Sequence, residues 1–143
     1  MSKQQIITIH GGGAFDTYKE YLADLRARVP SMERILRKDW KVNLSDVLGD
    51  DYFVVSPRMP NPDNARYSEW EIWFEKLISI FNEEVILIGH SLGGIFLAKY
   101  LSENDYPKKI KATFLVAAPY NSKDIHPLAD FIILENGIGK FRG

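Results

Sequence analysis

Four short apolar runs, Gln5–His10, Tyr52–Ser56, Val85–Gly89 and Lys111–Ala117, are separated by stretches with helical spacing. The connections between them are too long for hairpins, and each carries an amphipathic pattern. That alternation is the signature of right-handed strand–helix–strand units in a parallel sheet. The expected fold class is therefore α/β, a three-layer α/β/α arrangement over one parallel sheet. The expected strand order is 2-1-3-4, with the topological switch point between the first and third strands. The continuous apolar character of Tyr52–Ser56 suits a strand covered on both faces.

The helical stretches are marked by their own chemistry. Thr17 with Glu20 three residues on makes a capping box for a first helix. Tyr18, Tyr21, Leu22, Leu25 and Val29 fall on one face of it, and Pro30 ends it. Residues 31–50 are the least readable stretch, with a short helix expected around Ile35 and another over Val42–Leu48. Pro57, Pro60 and Pro62 mark a rigid connection. From Ser68 to Phe81, the residues Trp70, Trp73, Phe74, Leu77, Ile78 and Phe81 share a stripe, read as core packing in preference to an exposed ligand cage. A last clear helix runs from Leu92 to about Glu103.

Composition narrows the function classes. A chain of 143 residues is one domain on size, spanning residues 1–143. Net charge is −1 and no long run of like charges occurs, which offers no footprint for nucleic acid or an anionic membrane. The cluster Lys108-Lys109-Ile110-Lys111 reads as a solvated turn before a strand. Without cysteine there is no disulfide and no thiolate metal site. The apolar run Ile6–Ile9 is too short for a secretory or membrane segment, so a soluble cytoplasmic protein is expected. No spacing such as H-x-x-x-H is present, and neither a metal nor a cofactor is expected.

Gly89-His90-Ser91-Leu92-Gly93 matches G-x-S-x-G. Three fixed positions arise by chance in roughly one chain of this length in twenty. Context sharpens the match, because an apolar strand ends on Gly89 and a helix starts at Leu92. In such a nucleophile elbow the serine sits in a sharp, strained strand-to-helix turn with its hydroxyl raised above the sheet. Side chains at Gly89 and Gly93 would collide across so tight a turn. The N–H of Leu92 would face the serine hydroxyl, where an oxyanion gains a hydrogen bond and the helix dipole. The competing reading is a tight strand–helix turn with an inert serine.

His10-Gly11-Gly12-Gly13 closes the first strand. It reads as a loop in which Gly12 or Gly13 supplies a second oxyanion N–H; a phosphate loop or a plain turn are the alternatives. Neither the Gly-Lys-Ser/Thr ending nor the G-x-G-x-x-G spacing of phosphate loops is present. His10 and His90 lie inside these motifs and are read as shaping them rather than as bases.

Met59-Pro60-Asn61-Pro62, Ala65-Arg66, Trp70, Ile86–Gly94 and Ala112–Pro119 together resemble the small serine hydrolases of the retinoblastoma-binding-protein-9 and YdeN-like group, within the α/β-hydrolase superfamily. The resemblance implies a Ser–Asp–His triad acting on a small-molecule ester or other acyl substrate, without a cofactor. Ser91 carries over as nucleophile, with the Leu92 N–H and Gly12 or Gly13 as oxyanion donors. In these enzymes the acid follows the strand after Ala117 and the histidine comes later still. Here only Tyr120–Gly143 remain, so the expectation is a domain lacking the C-terminal strands that carry both groups. His126, with Asp124 or Asp130, is the one improvised base to consider. The rival function is a non-catalytic binding domain on the same scaffold. The strand at Ala112–Ala117, left as an edge, is expected to favour a dimer.

Overall fold

The computed structural model describes residues 3–38, 40–117 and 128–132. Its sheet has four parallel strands, β1 (Gln4–Ile9), β2 (Tyr52–Val55), β3 (Glu84–His90) and β4 (Lys109–Val116). They lie in the order β2-β1-β3-β4, as the sequence predicts. The helices are α1 (Tyr18–Ala27), α2 (Met32–Leu36), α3 (Trp40–Leu48), α4 (Tyr67–Ile78) and α5 (Leu92–Glu103). Single 3-10 turns occur at Pro62–Asn64 and Ala129–Phe131. The register sets Ile9 beside Gly89 and His90 beside Val116, so the carboxyl ends of β1, β3 and β4 meet at one edge.

One face of the sheet is well covered. Ile7, Ile9, Val85 and Leu87 are fully buried with Trp70, Phe74 and Phe96 from α4 and α5. Phe74 stands edge-on to Phe96 at 5.3 Å and to Tyr100 at 5.1 Å, which locks α4 against α5. Burying each such ring contributes roughly 1.5–3 kcal/mol. The stripe of α4 differs from expectation at one position. Trp70, Phe74, Ile78 and Phe81 are buried, whereas Trp73 is 41% exposed. On a helix of 3.6 residues per turn the stripe is narrower than the run of apolar residues, and Trp73 falls on its outer rim.

The other face is more thinly covered. Ile86 and Ile88 of β3 remain partly accessible, and α1 buries no residue although its apolar face is spaced for a core. Thr17 caps α1 by accepting the Glu20 N–H at 3.1 Å, one of the two bonds of a capping box. The two short helices expected within residues 31–50 are present as α2 and α3, the latter packing on β2. β4 is an edge strand with Phe114 exposed. No helix among the described residues is long and apolar enough to cross a membrane.

The segment around Phe131 is a feature that the sequence pattern did not reveal. Phe131 is fully buried, with its ring 5.3 Å from Trp70 and 5.7 Å from Tyr67. Beside it the Asp130 carboxylate accepts the Tyr67 N–H at 3.0 Å and so caps the first turn of α4. Asp130 thereby anchors this segment to α4 through Oδ1. His126 and Asp124 lie outside the described residues.

Candidate active site

The turn between β3 and α5 consists of Ser91 alone. Its backbone takes φ 53° and ψ −121°, a left-handed conformation that a residue with a Cβ rarely adopts. Such torsions cost on the order of 1–3 kcal/mol and persist only where the surroundings impose them. Three hydrogen bonds impose them here. The Ser91 N–H donates to the Val116 carbonyl at 2.8 Å, tying the elbow to the end of β4. The Ser91 carbonyl accepts the N–H groups of Gly94 and Ile95 at 2.9 and 3.2 Å, which starts α5 immediately.

The two elbow glycines are required for different reasons. A Cβ on Gly89 would stand 2.6 Å from the Gly93 carbonyl oxygen and from the Gly94 Cα, the collision across the turn that the sequence predicts. A Cβ on Gly93 would instead run into the carbonyl oxygens of Ile9 and His10. Gly93 thus lets α5 approach the end of β1 and brings the elbow to the glycine loop. His90 occupies the last position of β3 beside Val116.

Leu92 is the first residue of α5, so its N–H has no carbonyl within the helix to bond, and it has no acceptor among the described residues. It follows Ser91 directly, at the positive end of the helix dipole. Across from it, Gly11 packs on the serine. A Cβ placed on Gly11 would lie 3.2 Å from the Ser91 Cβ and 3.6 Å from its Oγ.

The glycine loop is fixed by a second loop, Met59–Ala65. The Gly13 N–H donates to the Pro62 carbonyl at 2.8 Å, and the Gly13 carbonyl accepts the Ala65 N–H at 2.7 Å. Of the two glycines considered as oxyanion donors, Gly13 spends its N–H inside this pairing. The Gly12 N–H has no such partner among the described residues. Gly12 must nevertheless be glycine, because a Cβ there would strike the Pro62 carbonyl oxygen.

His10 joins the same two loops. Its Nε2 accepts the Met59 N–H at 2.8 Å, which puts the ring proton on Nδ1, 2.7 Å from the Gly11 carbonyl. Its ring stands edge-on to Trp70 at 5.7 Å. Both nitrogens are committed to backbone, so His10 cannot take a proton from Ser91. Trp70 in turn donates from Nε1 to the Pro60 carbonyl at 2.8 Å, and Arg66 donates to the Phe15 carbonyl at 2.6 Å. The role of Met59–Ala65 as a brace for the glycine loop was not readable from residue spacing, since it rests on main-chain groups.

Among the described residues, no side chain is hydrogen-bonded to the Ser91 Oγ, and no three His, Asp or Glu could share a metal ion. A groove of about 890 Å³, lined by Tyr21, Arg58, Asn61, Arg66, Glu69 and Trp73 among others, lies on the Met59–Asn64 connection, and its lining includes neither Ser91 nor the glycine loop.

A parallel sheet in the order 2-1-3-4, a positive-φ serine between β3 and α5, and a glycine loop packed on that serine define a protein of the α/β-hydrolase type. The family model described as serine hydrolase matches residues 20–135, and the chain belongs to that family. No curated protein matches the chain.

Proposed function

We propose that this serine hydrolase cleaves carboxylic esters or related acyl bonds, with Ser91 as nucleophile and the N–H groups of Leu92 and Gly12 as its oxyanion hole. The observation that carries the reading is the strained Ser91 backbone, held between β3 and α5 with Gly11 packed on the side chain. Strain of this kind is expected where a hydroxyl must be presented in a fixed direction. Ser91 Oγ would attack the acyl carbon while its proton leaves to a base. The carbonyl oxygen would become an oxyanion facing the positive end of α5. Collapse would expel the alcohol, and water would then release the acid from the acyl-serine.

No base is bonded to the Ser91 hydroxyl among the described residues. His10 is committed to backbone, and Asp130 caps α4. We expect slow ester turnover from a Ser91 hydroxyl that has no bonded base among the described residues, reduced to background in Ser91→Ala and little changed in His126→Ala. Aryl-ester hydrolysis by the three proteins tests this. A robust rate abolished by both substitutions would place the base at His126. The second reading, a non-catalytic binding domain on the same scaffold, is favoured by the same lack of a bonded base among the described residues.

A further inference from the structure

Residues 25–38, Leu25-Arg-Ala-Arg-Val-Pro-Ser-Met-Glu-Arg-Ile-Leu-Arg-Lys38, are exposed without interruption. Five of them are large and apolar: Leu25 is 45% exposed, Val29 76%, Met32 66%, Ile35 66% and Leu36 71%. Met32, Ile35 and Leu36 have i, i+3, i+4 spacing and so share one side of α2. Around them stand Arg26, Arg28, Arg34, Arg37 and Lys38, against the single acid Glu33. The segment carries a net charge of +4, while the rest of the chain, with 13 cations and 18 anions, carries −5. The cations escape a search for like-charge runs because apolar residues separate them.

We propose that this segment is a docking surface for an anionic lipid surface. A short basic amphipathic stretch of this kind lies in the headgroup region, with apolar side chains reaching toward the acyl chains and arginines meeting phosphate. Arg28 is held by Asp24 and Asp63, and Arg37 by Glu33, whereas Arg26, Arg34 and Lys38 have no acidic partner among the described residues. The chemistry favours lipid over nucleic acid, since the segment holds five large aliphatic or thioether side chains and no aromatic ring on which a base would stack. The surface also reaches the glycine loop. Arg28 bonds Asp63 at 3.1 Å, and the Asp63 carbonyl would lie 3.4 Å from a Cβ on Gly13.

Co-sedimentation of the full chain with vesicles tests the proposal, using phosphatidylcholine alone and phosphatidylcholine mixed with phosphatidylserine. The expected result is pelleting with the mixed vesicles only, weakened by salt. Arg34→Glu with Arg37→Glu should reduce that partition by roughly tenfold or more. Ile35→Ser with Leu36→Ser should reduce it too, and Ser91→Ala should leave it unchanged. No residue of the segment is buried, so both double variants should keep the fold, which circular dichroism checks. Equal binding to both vesicle types, no binding to either, or pelleting without vesicles would overturn the proposal. Retention of an RNA fragment, lost in the same charge variant while the vesicles stay unbound, would assign the surface to nucleic acid instead.

Discussion

Gly11 packs directly on Ser91, close enough that a methyl group on it would lie 3.6 Å from the serine Oγ. That is ordinary contact with the oxygen and a slightly tight one with the Ser91 Cβ, at 3.2 Å. Gly11→Ala should therefore fold with a loss of no more than about 1 kcal/mol, yet hinder an acyl group approaching the hydroxyl. Gly93→Ala meets two main-chain carbonyls that cannot yield without separating α5 from β1, and should cost about 3 kcal/mol or more. Denaturant unfolding of the two variants checks the contrast. Equal destabilisation would mean that the loop and elbow are not seated as described.

The strain at Ser91 has a thermodynamic signature. Glycine reaches φ 53° and ψ −121° without the Cβ clash, whereas alanine keeps it. Ser91→Gly should be more stable than Ser91→Ala by about 1 kcal/mol, even though glycine gains more freedom when unfolded. Thermal melts of both variants measure the difference. An alanine variant more stable than the glycine one would indicate a relaxed serine.

Three tyrosines in and beside α4 and α5 give the fold an alkaline limit. Tyr100 is pushed up to about 12 by burial and then by Glu75 and Glu71, and Tyr106 to about 12 by burial and Glu83. Tyr67 is raised further, again by burial first and then by Glu71. Unfolded tyrosine ionises at about 10, so between about 10 and 12 the unfolded chain loses protons that the folded chain keeps. The stabilisation from these groups is fully present below pH about 10 and is lost as the pH rises toward 12. Denaturant unfolding across this range should show stability falling, and Tyr100→Phe should flatten the fall.

The outer edge of β4 leaves its main-chain groups open among the described residues, beside an exposed Phe114. Such edges pair with one another unless charge or proline blocks them. We expect a concentration-dependent dimer in sedimentation velocity, weakened by Phe114→Lys. A monomer at all concentrations would contradict it.

Much of this architecture is legible in the sequence, because apolar runs ending at Gly11 and Gly89 leave few alternatives to a parallel sheet with its elbow at Ser91. Three features are not, each for a physical reason. Trp73 is as apolar as Trp70, and only its angular position on α4 turns it outward. Gly12 and Gly13 are identical in sequence, yet a main-chain bond to Pro62 occupies the N–H of Gly13 and not that of Gly12. The face of α1 spaced for a core finds no layer to bury it among the described residues, which periodicity alone cannot foresee. Asp130 illustrates the same point, since its partner is a backbone N–H 63 residues away.

The central claim is that Ser91 is a preorganised nucleophile, and reaction with a fluorophosphonate followed by intact-protein and peptide mass spectrometry tests it most directly. Phosphorus resembles the tetrahedral carbon, so the reagent needs both the hydroxyl and the oxyanion donors. With excess reagent the account predicts one adduct per chain, located at Ser91, absent from Ser91→Ala and slowed in Gly11→Ala. Silence under the same conditions, or an adduct that persists in Ser91→Ala, would contradict it and leave the elbow as a structural turn.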